Sequence, residues 1–208
     1  MKKIEPYKNN KEATLALDNG GRFFNVLTKA EDGIISQAEI SKVAGLLGEK
    51  QKTILFFELS ISELDVNARS RIILTLDDKL KALYRKYKPQ EFTPLEAQEK
   101  GTVSSNAIIT GFPKFVESKS DFNGFIMIPI MVGSITTFTM VPIINQYDVY
   151  EIKDTASAET FLIAHAKSSK KLPETRMKVA GVLKALKATR TEKEASKKFL
   201  DAYYYLDA

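Results

Sequence analysis

The chain has one imidazole, His165, in the stretch Phe161-Leu-Ile-Ala-His-Ala-Lys167, and it has no cysteine. Thiolate nucleophiles, disulfides and cysteine zinc sites are therefore excluded, and the absence of thiols fits a cytoplasmic setting. Any Ser-His pair or histidine metal site would have to be built on His165 alone. Its neighbours are small and apolar, which predicts a partly buried, hydrogen-bonded histidine rather than a general base.

Carboxylates are the other source of chemistry. Asp77 and Asp78 are adjacent, and on a helix adjacent side chains point about 100° apart, so the two cannot converge on one substrate atom. Glu151, Asp154 and Glu159 gather near a strand end without a cationic or metal-ligating companion. A carboxylate-only hydrolase is the weakest of the functional readings.

The stretch Lys29-Ala-Glu-Asp-Gly-Ile-Ile-Ser-Gln-Ala-Glu-Ile-Ser41 invites comparison with a calcium loop. Such a loop takes oxygen ligands from positions 1, 3, 5 and 12, with glycine at 6. Setting Gly33 at position 6 places Asp32, Ser36 and Glu39 at 5, 9 and 12, but positions 1 and 3 fall on Thr28 and Ala30. Two anchors of the cage are missing. A turn followed by a capping box, Ser36 with Glu39, accounts for every residue that matched.

Two other motifs fail. The stretch Ala44-Gly-Leu-Leu-Gly-Glu-Lys-Gln-Lys-Thr53 lacks the G-x-x-x-x-G-K-[ST] spacing of a phosphate loop. No G-x-S-x-G occurs, and Ser134 reads as a hairpin residue. No cofactor or metal is expected.

Binding features are better represented. Net charge is +5, enough to permit contact with nucleic acid without requiring it. Lys167, Lys170, Lys171, Arg176, Lys178, Lys184 and Lys187 form the densest basic stretch and are the candidate phosphate contacts. Tyr203-Tyr204-Tyr205, read as helical, spans more than one buried face, so Tyr204 and Tyr205 are candidate docking residues for a protein partner or a second copy.

Behind these residues stand three parts. Residues 1–88 are expected to be helical. Ile40, Val43, Ala44 and Leu47 follow the Ser36 cap, with Gly48 closing the helix. Thr-Ile-Leu-Phe-Phe-Glu-Leu-Ser60 is apolar enough to lie centrally. Ile72, Ile73, Leu76, Leu80, Leu83, Tyr84 and Tyr87 make one continuous stripe that stops at Pro89. Near the N-terminus, residues 18–27 are either a hairpin or a turn feeding a helix that buries Phe23, Phe24 and Leu27.

Residues 89–102 read as a linker with one short helix, using Thr93 as N-cap, Pro94 at N1, Glu96 at N3 and Gly101 as its end. Residues 103–208 are β-rich with a C-terminal helix. The first strand is expected to bend near Gly111-Phe-Pro113. Residues 123–147 carry no charge, yet their prolines, threonines and period-two alternation favour an antiparallel hairpin over a membrane span. With Gly133-Ser134 as a two-residue turn, Val132 faces Ile135, Pro129 faces Phe138 and Phe125 faces Pro142. Both prolines then occupy positions where a missing N–H costs no ladder bond.

Residues 172–188 match two periods. Val179, Val182, Leu183 and Leu186 suit a helix, the favoured reading; Met177, Val179 and Leu183 suit a strand with a bulge at Gly181. Thr191 and Glu194 would cap a final helix lined by Ala195, Phe199, Tyr203 and Leu206.

The expected fold is α+β: helical N-terminal part, antiparallel sheet, helical C-terminus. The expected function is a soluble, non-enzymatic interaction or structural protein. The alternative is nucleic-acid binding: should 172–188 be a strand, five strands could close an OB-like barrel with lysines on one face.

Overall fold

A computed structural model describes residues 1–20, 31–46, 48–132, 135–155, 159–167, 170–186 and 198–208, with the backbone alone over 119–132 and 135–145. Phe23, Phe24, Leu27, Thr28, Ala30, Leu47, Gly133, Ser134, Lys187, Thr191, Glu194 and Ala195 lie outside what is described.

The helical layer starts where Asn9 accepts a hydrogen bond from the Glu12 amide and opens α1 (Asn10–Leu17). The capping box expected at Ser36 and Glu39 is present and opens α2 (Gln37–Ala44). That helix ends earlier than Gly48, at Gly45, whose left-handed φ of 74° suits a residue without Cβ. Next comes α3 (Lys50–Ser60), in which every residue from Thr53 to Ser60 is buried, as its all-round apolar sequence implies.

The stripe from Ile72 to Tyr87 is two helices rather than one, α4 (Val66–Thr75) and α5 (Asp78–Tyr87). Asp77 causes the break, because its carboxylate accepts from the Leu80 amide as the N-cap of α5. The gap is stitched to the loop before α2: Ile35 donates to Thr75, and Asp77 donates to Ile35. The apolar pattern runs on across the break because both helices face the same core.

After β2 (Gln90–Phe92) comes α6 (Pro94–Lys100), with the Thr93 cap, Pro94 and Gly101 in the expected places. Five strands follow: β3 (Asn106–Val132), β4 (Ile135–Lys153), β5 (Thr160–Ala166), β6 (Met177–Ala185) and β7 (Lys198–Asp207). The hairpin register is the one anticipated, with Val132 opposite Ile135, Pro129 opposite Phe138 and Phe125 opposite Pro142.

Three expectations fail. The sheet is mixed, not antiparallel: β5 pairs β7 in parallel, β2 pairs β3 in parallel, and β1 (Lys2–Lys3) adds a parallel edge to β7. Residues 177–185 are a strand, not a helix. The chain ends in strand β7, not in a helix. In the last two cases a short apolar run satisfied both periods, and pairing with non-local strands decided the outcome.

The strands close on themselves. β3 pairs β4, β4 pairs β5, β5 pairs β7, β7 pairs β6, and β6 pairs β3. β3 serves both neighbours in succession: Asn106–Gly111 pair with β6 and Phe112 onward with β4. A side chain at Gly111 would bring its Cβ to 2.5 Å from the Lys153 carbonyl oxygen, so only glycine fits this handover. A three-strand meander, a fifth strand parallel to the third and a fourth closing on the first make the Greek-key ring of an OB-like barrel.

The ring encloses Ala107, Ile109, Tyr150, Ile152, Phe161, Ile163, Met177, Val179, Leu183, Leu200 and Ala202, with Ala97 of α6 closing one end. A second core joins helices α1–α5 to the outside of β3, β6 and β7 through Ile108, Ala180, Tyr204 and Leu206. β7, like β3 and β6, feeds both cores by strand alternation, and its ladder carries one irregularity: Ala180 faces Tyr204 while Gly181 faces Ala202, leaving Tyr203 as the extra residue of a β-bulge. Gly181 sits opposite that irregularity, and a Cβ there would lie 2.2 Å from the Asp201 carbonyl oxygen. Among the described residues no helix is long and apolar enough to cross a membrane.

Candidate functional site

Strand alternation fixes what the barrel shows on its other side. Since Tyr150, Ile152, Phe161, Ile163, Leu200 and Ala202 point inward, their neighbours Tyr147, Val149, Leu162, Ala164, Phe199 and Asp201 point outward. Cross-strand pairs align them in rows. Tyr147 lies beside Ala166; Val149 beside Ala164, then Asp201 and Val182; Glu151 beside Leu162, then Phe199 and Lys184. Tyr203 stands at the end of this face, beyond Asp201.

The result is a partly exposed floor of small and aliphatic side chains carrying three aromatic rings, Tyr147, Phe199 and Tyr203. Charges frame it in pairs. Lys184 Nζ lies 2.5 Å from Asp201 Oδ2, and the Tyr203 hydroxyl donates to the same oxygen at 2.6 Å. Lys52 Nζ sits 4.4 Å from the centre of the Tyr203 ring while pairing with Glu49 at 2.5 Å. Burial, reinforced by the bond to Asp201, pushes the Tyr203 hydroxyl well above its ordinary range, so this ring is neutral at any physiological pH.

One mouth of the barrel holds a separate polar group. Asp148 is fully buried, and its Oδ1 accepts from Ser118 Oγ at 2.7 Å and Lys171 Nζ at 2.6 Å. Lys171 also stands 3.8 Å from the centre of the Phe115 ring. His165, opposite Asp148 in the β4–β5 ladder, is 2 % exposed and stacks on Tyr150. Its Nδ1 donates to the Ala166 carbonyl at 2.7 Å, and its Nε2 has no protein partner. Burial pulls its pKa below the ordinary value. This is the buried, hydrogen-bonded histidine anticipated from its neighbours, closed off from a substrate.

Several other carboxylates serve the backbone. Glu39 takes the amides of Gly20 and Ser36, Asp18 those of Asp32 and Gly33, Asp32 that of Ile34, and Asp154 that of Thr155. The loop that resembled a calcium site is thus held as a turn and a capping box. Buried Glu58 accepts from Arg69 and, at 2.8 Å, from the Tyr84 hydroxyl, which pins α3 to α4 and α5.

The basic residues singled out in the sequence do not share one face. Lys171 is at the barrel mouth with Asp148, Lys178 pairs with Glu91 of β2 at 3.1 Å, and Lys184 borders the aromatic floor. Lys167 is exposed just past the end of β5, its amide bonded to Gln146 beside Tyr147. Lys170 and Arg176 are exposed, and Lys187 lies outside the described residues. Tyr204 is 3 % exposed inside the helical core, whereas Tyr205 packs in part against the barrel core and stays part-exposed. Sequence reasoning missed Tyr147, Phe199 and Tyr203 as a group. Their outward parity was readable only once residues 198–207 were known to be a strand. No protein-family model matches the chain, and comparison with curated proteins finds no match.

Proposed function

We propose that this chain binds single-stranded nucleic acid along the outer face of β4, β5 and β7, without catalysis. It is the alternative drawn from the sequence, and the observation that carries it is the closed five-strand ring, with its parallel β5–β7 pair, two aromatic rings, Tyr147 and Phe199, on the part-exposed wall, and a third, Tyr203, at the seam with the helical layer. In OB-like barrels the second and third strands, here β4 and β5, and the loops joining strands one to two and four to five are the surfaces that take oligonucleotides. The link is one of fold, and local chemistry supports it: stacking on aromatic rings is tolerant of sequence and favours unpaired bases.

Charge agrees with the reading. Lys153, Lys167 and Lys184 stand around the floor, and the sequence joining β6 to β7 contributes Lys187, Arg190, Lys193 and Lys197 against Glu192 and Glu194. A cytoplasmic setting, where such strands occur, belongs to the same proposal.

The test is fluorescence anisotropy with labelled oligothymidylate, oligouridylate and duplex DNA at low salt. Binding of the single strands, weakening with salt at a log–log slope of about −0.7 per phosphate contact, is the expected result. No change at micromolar protein rules the proposal out. A second reading, a protein partner or self-association, is favoured by the β3–β4 ribbon, whose residues 123–147 carry no charge. Sedimentation of the free protein separates the two.

A further inference from the structure

A cavity of about 240 Å³ opens at the seam between the helical layer and the barrel. Lys50 and Gln51 at the start of α3, Tyr87 at the end of α5, and Val182 and Tyr203 of the barrel form its walls. Val182 and Tyr203 also bound the aromatic face, Val182 as the cross-strand partner of Asp201. The cavity and the face therefore share a rim, so a chain lying on the sheet can pass from one to the other.

The lining suits a nucleotide. Tyr87 and Tyr203 offer two rings for stacking. Lys50 is exposed and makes no ion pair among the described residues, while Lys52 is held over Tyr203 and paired with Glu49. The Glu49 carboxylate also lines the cavity, and Lys52 offsets its charge. The Gln51 side-chain amide donates to the Ser104 carbonyl at 3.0 Å, which keeps its own oxygen as an acceptor. The volume falls below the ~300–1,000 Å³ of pockets that enclose a whole drug-sized ligand, so one ring system fits and a large cofactor does not.

We infer that this cavity receives one nucleotide of the single strand on the barrel face, its base against Tyr87 and Tyr203 and its phosphate toward Lys50. The inference rests on the nucleic-acid reading and adds to it a point at which the strand leaves the sheet and one base is withdrawn from the stack.

The experiment measures anisotropy of a labelled oligothymidylate of about 12 nucleotides, within the ~4–16 spanned by one such barrel. Wild-type protein is compared with Tyr87→Leu, Lys50→Glu and, as a charge control on the exposed surface of α5, Lys79→Glu. Tyr87→Leu is expected to weaken binding about fivefold or more, the loss of one stacking contact. Lys50→Glu is expected to weaken it clearly more than Lys79→Glu does. Thymidine 5′-monophosphate should also shift the amide resonances of Lys50, Gln51 and Lys52, and Tyr87→Leu should remove those shifts. Normal oligonucleotide binding by Tyr87→Leu, with Lys50→Glu no worse than Lys79→Glu, overturns the cavity inference and leaves the face intact. Failure of the wild-type protein to bind any oligonucleotide is failure of the underlying reading, and the cavity falls with it.

Discussion

On the β3–β6–β7 side of the barrel, Ile108, Ala180, Tyr204 and Leu206 point outward, and all are at most 3 % exposed because helices α1–α5 pack on them. On the β4–β5 side, Tyr147, Val149, Leu162 and Ala164 point outward just as squarely and stay part-exposed. The two walls use similar side chains and the same strand parity, and among the described residues only one of them is covered by helices. Apolar content therefore does not distinguish structure from function in this protein; cover does. A tyrosine on the covered wall is a stability element, and one on the bare wall is available to a partner.

The sharpest way to break that contrast is to truncate one tyrosine on each wall. Tyr204→Ala should cost about 3–5 kcal/mol of unfolding free energy, as for other buried aromatics, while Tyr147→Ala should cost under ~0.5 kcal/mol. Urea denaturation reads both, and equal losses would mean that the bare wall is covered after all. Next in size is the polar anchor of the helical layer. Arg69→Met leaves buried Glu58 short of its cationic partner and should cost about 3 kcal/mol, whereas Lys178→Met, which breaks an exposed pair with Glu91, should change urea stability by under ~1 kcal/mol.

Binding should show the reverse order. Tyr147→Ala and Phe199→Ala are each expected to cost about 1–3 kcal/mol of single-strand affinity by anisotropy, with circular dichroism unchanged. Removing charge at Lys178 should change that affinity little.

The smallest effect concerns the barrel mouth. Burial holds the folded-state pKa of His165 below its ordinary value of 6.5, against the opposing pull of Asp148 and with the push of Lys171 and the amino terminus. The unfolded chain therefore binds the extra proton first. Stability is complete above about 6.5 and is lost on acidification below it, at no more than ~1.4 kcal/mol per pH unit until the folded-state value is reached. Urea midpoints at several pH values should show this slope, and His165→Gln should flatten it.

Local signals were the legible part of this fold. Ser36 with Glu39, and Thr93 with Pro94 and Glu96, announced helix starts because a cap is made by residues three apart in sequence. The two prolines of the hairpin announced its register because a missing N–H tolerates only one parity. What was hidden depended on residues far apart. The stripe from Ile72 to Tyr87 gave no sign of its break, since Asp77 caps a helix without disturbing the apolar period. Residues 177–185 and 198–207 became strands because each has the other, and β3 or β5, to pair with. The candidate face was hidden for the same reason: Tyr147, Phe199 and Tyr203 come from β4 and β7, and only the parallel β5–β7 pairing sets them on one surface.

The extra residue in β7 behaves like a shift of reading frame. Before Tyr203 the even-numbered positions look into the barrel, and after it they look into the helical core, while the ladder with β6 runs on across the break. The bulge is consequently a local feature, removable without reversing either face of the strand. Deleting Tyr203 would set Tyr204 directly after Ala202, and plain alternation would still send Ala202 and Tyr205 to the barrel and Tyr204 and Leu206 to the helices; what would go is the bulge and the ring it holds at the seam between the two layers.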